Sequence, residues 1–304
     1  MSAPSVPRRH RVGIIGAGRL GRALVHALDR AGHEVVAAST RTAASRDLLR
    51  RSIDVPTFGD VVEVARRSEV LVCCVPDDAL AAIVAQLASE LGDADLPDVV
   101  VTVSGATALA TFAPLVDRGV AAARIHPLQV FTDASGPESF VGVTAAIAVT
   151  DPATFDCARS VAESIGLHPV AIDEAHRAAW HAAATIAANY SVTLLAAARD
   201  LAVQAGVEEA DALASLGALA RGAIGRAMEE GPEAALTGPI SRGDSGTVDA
   251  HLASLEDGPS PELATMYREL GARTVELARR DGRLDVASAA RMLRALDHGR
   301  VGST

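Results

Sequence analysis

Apolar and polar positions alternate differently in the two parts of the chain. In the first part, short apolar runs recur between stretches of helical spacing. The runs 11–15 (RVGII), 34–39 (EVVAAS), 70–75 (VLVCCV) and 99–103 (VVVTV) read as strands, and 145–149 and 170–172 add shorter ones. Residues 19–31 between the first two carry the period of an amphipathic helix. Strands alternating with helices predict βαβ units and a mainly parallel sheet covered by helices on both faces. After Asp173 the pattern changes. Residues 174–205, 210–230, 247–255, 261–280 and 285–296 read as helices, and no further strand-like run follows. The expectation is a doubly wound α/β domain over 1–172 and an all-α domain over 173–304. The tail from Asp297 to Thr304 is expected to fray.

Composition narrows the chemistry. Of the 304 residues, 49% are apolar, enough for a sizeable core, and the formal charge is −10. That charge argues against a nucleic acid or an anionic membrane surface as partner. Cys73, Cys74 and Cys157 have neither metal-type nor redox-type spacing, which suggests a reducing, cytoplasmic compartment. The N-terminal stretch MSAPSVPRRHRV lacks the apolar core of a signal peptide. The most apolar long run, 178–203, contains His181, Asn189 and Arg199 and reads as a buried helix, not a membrane span. All 28 basic residues are arginine. A lysine proton donor or Schiff base is therefore excluded, and arginine stays charged at any working pH.

The run 11–15 leads straight into GAGRLG, Gly16 to Gly21, which opens a helix. In that context the motif predicts a dinucleotide site. Gly16 serves the tight turn, Gly18 lets the backbone approach a pyrophosphate, and Gly21 lets helix and strand pack. Arg19 and Leu20 lie within the loop, where free N–H groups and the helix dipole favour an anion. At the end of the second strand an NAD enzyme usually carries an acidic residue for the ribose. Here Ser39, Thr40 and Arg41 stand instead, which suits a 2′-phosphate and hence NADP. Arg41 also reads as the start of a solvated helix. Val75 and Pro76, and Ser104 and Gly105, leave further strand ends and are candidate cofactor contacts. Asp78 is a candidate helix cap.

Three segments carry candidate chemistry. RIHPLQVF places His126 before a proline, as a site histidine or a structural one. On the long helix His181, Thr185 and Asn189 are four apart, and each step of four turns only about 40°, so they share a face. That stripe either faces a cleft or has internal partners. In LTGPISRGD, Arg242 offers a guanidinium fork for a carboxylate, with Asp244 to orient it, or forms a surface ion pair. Asp244 or Ser245 is placed to cap the helix that carries His251. No metal site is expected.

With GAGRLG, RIHPLQVF, WHAAATIAANY and LTGPISRGD in order, the chain resembles Rossmann-like proteins with a helical C-terminal domain of unknown function. These are similar to ketopantoate reductases and pyrroline-5-carboxylate reductases. The resemblance implies two domains, an NADP-type cofactor and a homodimer built through the helical part. It also implies a reductase, and some members look like an alternative ketopantoate reductase. The better-known ketopantoate reductases use a lysine in the first helix of the second domain, which this chain lacks. The expected activity is NADPH-dependent reduction of a small carboxylate-bearing carbonyl compound, most simply a 2-keto acid such as ketopantoate. His181 would be the acid because imidazole donates protons efficiently near neutral pH. Asn189 would bind the carbonyl, Arg242 the carboxylate, and His126 would be the reserve acid. A cyclic-imine reductase and a non-catalytic NADP-binding regulator are the alternatives.

Overall fold

The computed structural model describes residues 9–297. The start of the segment inspected for a signal peptide (1–8) and the tail 298–304 lie outside the described residues. The chain divides into two compact units, 1–187 and 188–304.

In the first unit one eight-stranded sheet has the order β3-β2-β1-β4-β5-β6-β7-β8. Its strands are β1 Arg11–Ile15, β2 Glu34–Ser39, β3 Thr57–Phe58, β4 Val70–Cys73, β5 Val99–Thr102, β6 Ala121–Pro127, β7 Thr144–Val149 and β8 His168–Ala171. Among the described residues only the β6–β7 pair is antiparallel. The central strands β4 and β5 are buried throughout, as expected of a parallel sheet covered on both faces. The covering helices are α1 Arg19–Arg30, α2 Ala43–Ser52, α3 Val61–Ala65, α4 Asp77–Glu90, α5 Ala113–Val116 and α6 Phe155–Ser164. One core joins α1 and α6 to one face through Leu24, Leu28, Phe140 and Val161. A second joins α3 and α4 to the other through Val64, Leu80, Leu87 and Phe112. Strand β3 is absent from the hydropathy reading because two residues carry no period.

The first strand pairs with β2 on one side and β4 on the other. Connections leaving β1 and β4 therefore diverge there, which opens a crevice at the carboxyl ends of the strands.

After β8, Asp173 caps a short turn and the long helix α7 runs from Arg177 to Gln204. The helices α8 Glu209–Glu230, α9 Pro232–Ala235, α10 Ser245–Glu256, α11 Glu262–Arg280 and α12 Val286–Asp297 follow. The second unit has its own core, in which α10, α11 and α12 meet around Val248, Leu252, Val275 and Met292. The change of pattern lies between β8 and α7, whereas compactness divides the chain within α7, because the first turns of that helix pack on the sheet unit. Among the described residues no helix is long and apolar enough to cross a membrane.

Candidate active site

The glycine turn is built as its residue types require. Gly16 has φ +92°, and a Cβ there would stand 2.6 Å from the Cys74 carbonyl oxygen. A Cβ on Gly21 would meet the Gly16 carbonyl oxygen at 2.3 Å, so helix α1 can approach the turn only without one. At Gly18 a Cβ would meet nothing within 4 Å. That open space lies at the N-cap of α1, where unsatisfied N–H groups and the dipole favour an anion. The Ser39 carbonyl accepts from Gly16 N (3.1 Å) and Ala17 N (2.8 Å), which ties the turn to the end of β2.

A cleft of about 670 Å³ runs over these strand ends. Gly16, Gly18, Leu20, Ser39, Thr40, Arg41, Val75, Pro76, Ser104 and Gly105 all line it, together with His126 and His181. Arg19 does not: its exposed guanidinium lies 3.4 Å from Asp133, and only its place in the first turn keeps its backbone near the loop. Thr40 is buried and its hydroxyl donates to the Thr42 carbonyl (3.0 Å), so that proton is not offered to a phosphate. Thr42 and Ser45 at the start of α2 were not singled out from sequence, yet both line the cleft. Their signal was the capping spacing itself, since Thr42 accepts from Ser45 N (3.1 Å). Asp78 is not a cap. Helix α4 starts at Asp77 after Pro76, whose φ of −56° suits a helix entry, and Asp78 lies in the first turn. Asp77 instead accepts from the Thr107 hydroxyl (2.7 Å).

The two histidines from distant segments meet. The rings of His126, near the end of β6, and His181, in the second turn of α7, lie 5.7 Å apart edge to face. Gly105 sits against both: a Cβ there would be 2.5 Å from His181 Nδ1 and 2.6 Å from His126 Cε1. Burial is the main cause that pushes His126 down to about 4, helped by its neighbours His181 and Arg124 and opposed by Asp77. His126 is thus neutral at pH 7.

Beneath the pair lies a network that sequence reasoning missed. Arg124, its side chain 4% exposed, donates to the Ser104 carbonyl (3.0 Å), the Thr107 carbonyl and Glu174 (2.6 Å). Glu174 also accepts from Leu109 N (3.0 Å). Burial pushes Glu174 up, but the Arg124 and Leu109 hydrogen bonds and the charges of Arg124 and Arg177 outweigh it, so its carboxyl sits below the ordinary range. The available signal was an arginine two residues before His126 in a strand, hence on the same face.

The other expected residues stand elsewhere or are otherwise engaged. The Thr185 hydroxyl donates to the His181 carbonyl (3.0 Å), back-bonding one turn up its own helix instead of facing a ligand. Asn189, Arg242 and His251 belong to the second unit and are exposed there. Asp244 does not orient Arg242. It caps α10, accepting from Thr247 N (3.1 Å) and the Thr247 hydroxyl (2.7 Å), because a short carboxylate at an N-cap reaches its own helix first. His251 Nδ1 lies 2.9 Å from the Tyr267 hydroxyl. Among the described residues no cluster of three or more potential ligands could hold a metal.

Residues 2–127 match the model of a Rossmann-like domain, and residues 143–274 match that of a domain of unknown function, DUF2520. The second match takes in β7 and β8 as well as helices of the second unit. No curated protein matches the chain. Among solved structures, it is similar to a Bacteroides fragilis protein provisionally assigned as an NADP oxidoreductase (20% identity, TM-score 0.72, covering 89% of this chain and 99% of that one). A Thermotoga maritima protein named without an activity is alike to the same degree (22%, TM-score 0.70, 89% and 99%). A Plasmodium falciparum pyrroline carboxylate reductase with NADP bound shares the fold more distantly (13%, TM-score 0.57, 94% and 98%). The chain therefore joins a Rossmann-like domain to a DUF2520 domain.

Proposed function

We propose that the protein is an NADPH-dependent reductase of a small carboxylate-bearing carbonyl compound, a 2-keto acid such as ketopantoate being the simplest candidate. The observation that carries this reading is that one cleft is bordered by the glycine turn, the Ser39–Ser45 stretch and a pair of imidazoles. NADP is named in two of the similar structures, and the cradle here fits it. The open space at Gly18 admits a pyrophosphate. Arg41, with the start of α2, offers charge and hydroxyls to a 2′-phosphate, and none of Ser39, Thr40, Thr42 and Ser45, which line the cleft with it, is acidic. When bound, the nicotinamide supplies a hydride to the carbonyl carbon.

The chain's own residues then have to manage the oxygen. As the C=O π bond opens, negative charge gathers on oxygen and a proton must reach it. His181 is the proposed donor. His126, held neutral, contributes a hydrogen bond without competing for the proton. Arg242 and Asn189 remain the residues proposed for the carboxylate and the carbonyl; they stand in the second unit, and the first unit alone carries the redox half of this reading.

Reduction of a cyclic imine is the second reading, favoured by the shared fold of the Plasmodium reductase and by a chain without lysine. An iminium arrives protonated and asks less of an acid. The test follows NADPH absorbance at 340 nm with a panel of 2-keto acids and cyclic imines. Binding of NADPH is followed in parallel by quenching of Trp180, the single tryptophan. Turnover with one class chooses between the readings. Tight binding with no turnover by either class would leave a nucleotide-binding regulator instead.

We also propose a homodimer through the helical part. Helix α7 has no buried residue over its 28 positions. Leu213, Ile224 and Met228 form one stripe on α8, with Met228 83% exposed. Contiguous apolar surface of this kind marks a partner-binding face.

A further inference from the structure

We propose that Arg124 and Glu174 are positioning residues: their ion pair, with Arg124 buried and Glu174 partly exposed, clasps the loop 104–109 between β6 and the start of α7, and thereby sets the separation of His126 and His181.

Arg124 lies two residues before His126 on the same strand. Glu174 lies just ahead of the helix that carries His181. The Arg124 guanidinium holds the loop by the carbonyls of Ser104 and Thr107. Glu174 holds it by the amide of Leu109. Arg177, in the first turn of α7, holds the Ala106 carbonyl between them. The loop is stiffened from within as well, since the Ser104 hydroxyl accepts from Ala106 N and Thr107 N, both at 3.0 Å. Near its start sits Gly105, against both imidazoles. Each imidazole is thus fixed twice, by its own backbone and by a glycine that the clasp holds in place. Both Nδ1 atoms are buried without a partner on this inner side, so a lifted loop would admit water to them at once.

The significance for catalysis rests on the reductase reading, because a misplacement of about 1 Å can cost a hundredfold in rate. The test does not. Histidine titrations by nuclear magnetic resonance and Trp180 emission need neither nucleotide nor substrate. Trp180 stands three residues beyond Arg177 and immediately before His181. In Glu174→Gln the loop loosens, water reaches the pair, and the His126 midpoint rises by about one unit or more, since burial is the largest of its causes. The loss of Glu174 leaves the Arg124 charge less compensated, which opposes that rise, while His181 and Asp77 stay in place. Trp180 emission moves to the red. Glu174→Asp keeps the charge and withdraws it by one methylene, so it shows a smaller shift of the same sign. A folded Glu174→Gln protein with unchanged histidine titrations and unchanged emission overturns the proposal. Should that variant fail to fold, an Asp variant indistinguishable from wild type overturns it equally.

Discussion

At the scale of single residues, the two histidines differ in what they have to do. His181→Asn keeps a hydrogen-bonding group of similar shape and removes the titratable one. If His181 is the acid, kcat falls by about 10²–10⁴ with little change in NADPH affinity, as measured by steady-state assay and quenching. Full turnover in that variant removes His181 from the role. His126 makes itself felt in stability. Folded, it titrates at about 4; unfolded, near the ordinary 6.5. Above pH 6.5 both states are neutral and the difference costs nothing. As pH falls from about 6.5 to about 4 the unfolded chain takes a proton that the folded chain refuses, so stability drops, by about 3 kcal/mol at most. His33, also pushed down, chiefly by burial, acts in the same direction. Thermal melts across that range should show the loss, and His126→Asn should flatten it. Both histidines were visible in the sequence as candidates. Their meeting was not, because 55 residues separate them and only the pairing of β6 with its neighbours and the seating of α7 bring them together.

At the scale of elements, the glycine turn and the loop after β2 make separable predictions. Gly16→Ala forces a side chain onto φ +92° and into the Cys74 carbonyl, and should destabilise by about 1–3 kcal/mol. Gly18→Ala meets no protein atom and should leave the melting temperature unchanged while weakening NADPH at least about tenfold, because the methyl fills the approach to the N-cap. A Gly18→Ala protein that binds NADPH normally would remove this turn from the nucleotide site. Arg41→Ala should weaken NADPH about tenfold or more and leave NADH nearly unchanged, measured by paired titrations. Most of the alternating half was legible element by element, since its strands other than the two-residue β3 are long enough to show an apolar run. The capping residues were less so: Asp78 and Asp244 have the right chemistry for several jobs, and only the helix start decides which one they perform. Of the two readings open for Thr185, the structure takes the internal partner. Its spacing is that of a ligand stripe, but its hydroxyl finds the carbonyl one turn back.

At the scale of the whole molecule, apolar surface rather than charge points to the assembly. Ile224→Asp or Met228→Asp on α8 should convert a dimer to a monomer, read by light scattering on a sizing column, with little effect on the fold because neither side chain is buried. A wild-type monomer at micromolar concentration would remove the dimer. The sequence reading took the apolar run 178–203, which forms most of α7, as a buried helix, yet α7 has no buried residue; an apolar run reports a sticky face but does not say whether the same chain covers it. One small joint has a wider reach. Both amides of the glycine turn end on a single oxygen at the tip of β2, so the phosphate end and the ribose end of the cradle are one rigid piece. A nucleotide then docks on a frame that is already cast, with little ordering left to do. The amide protons of Gly16 and Ala17 should accordingly exchange slowly with solvent even before any nucleotide is added.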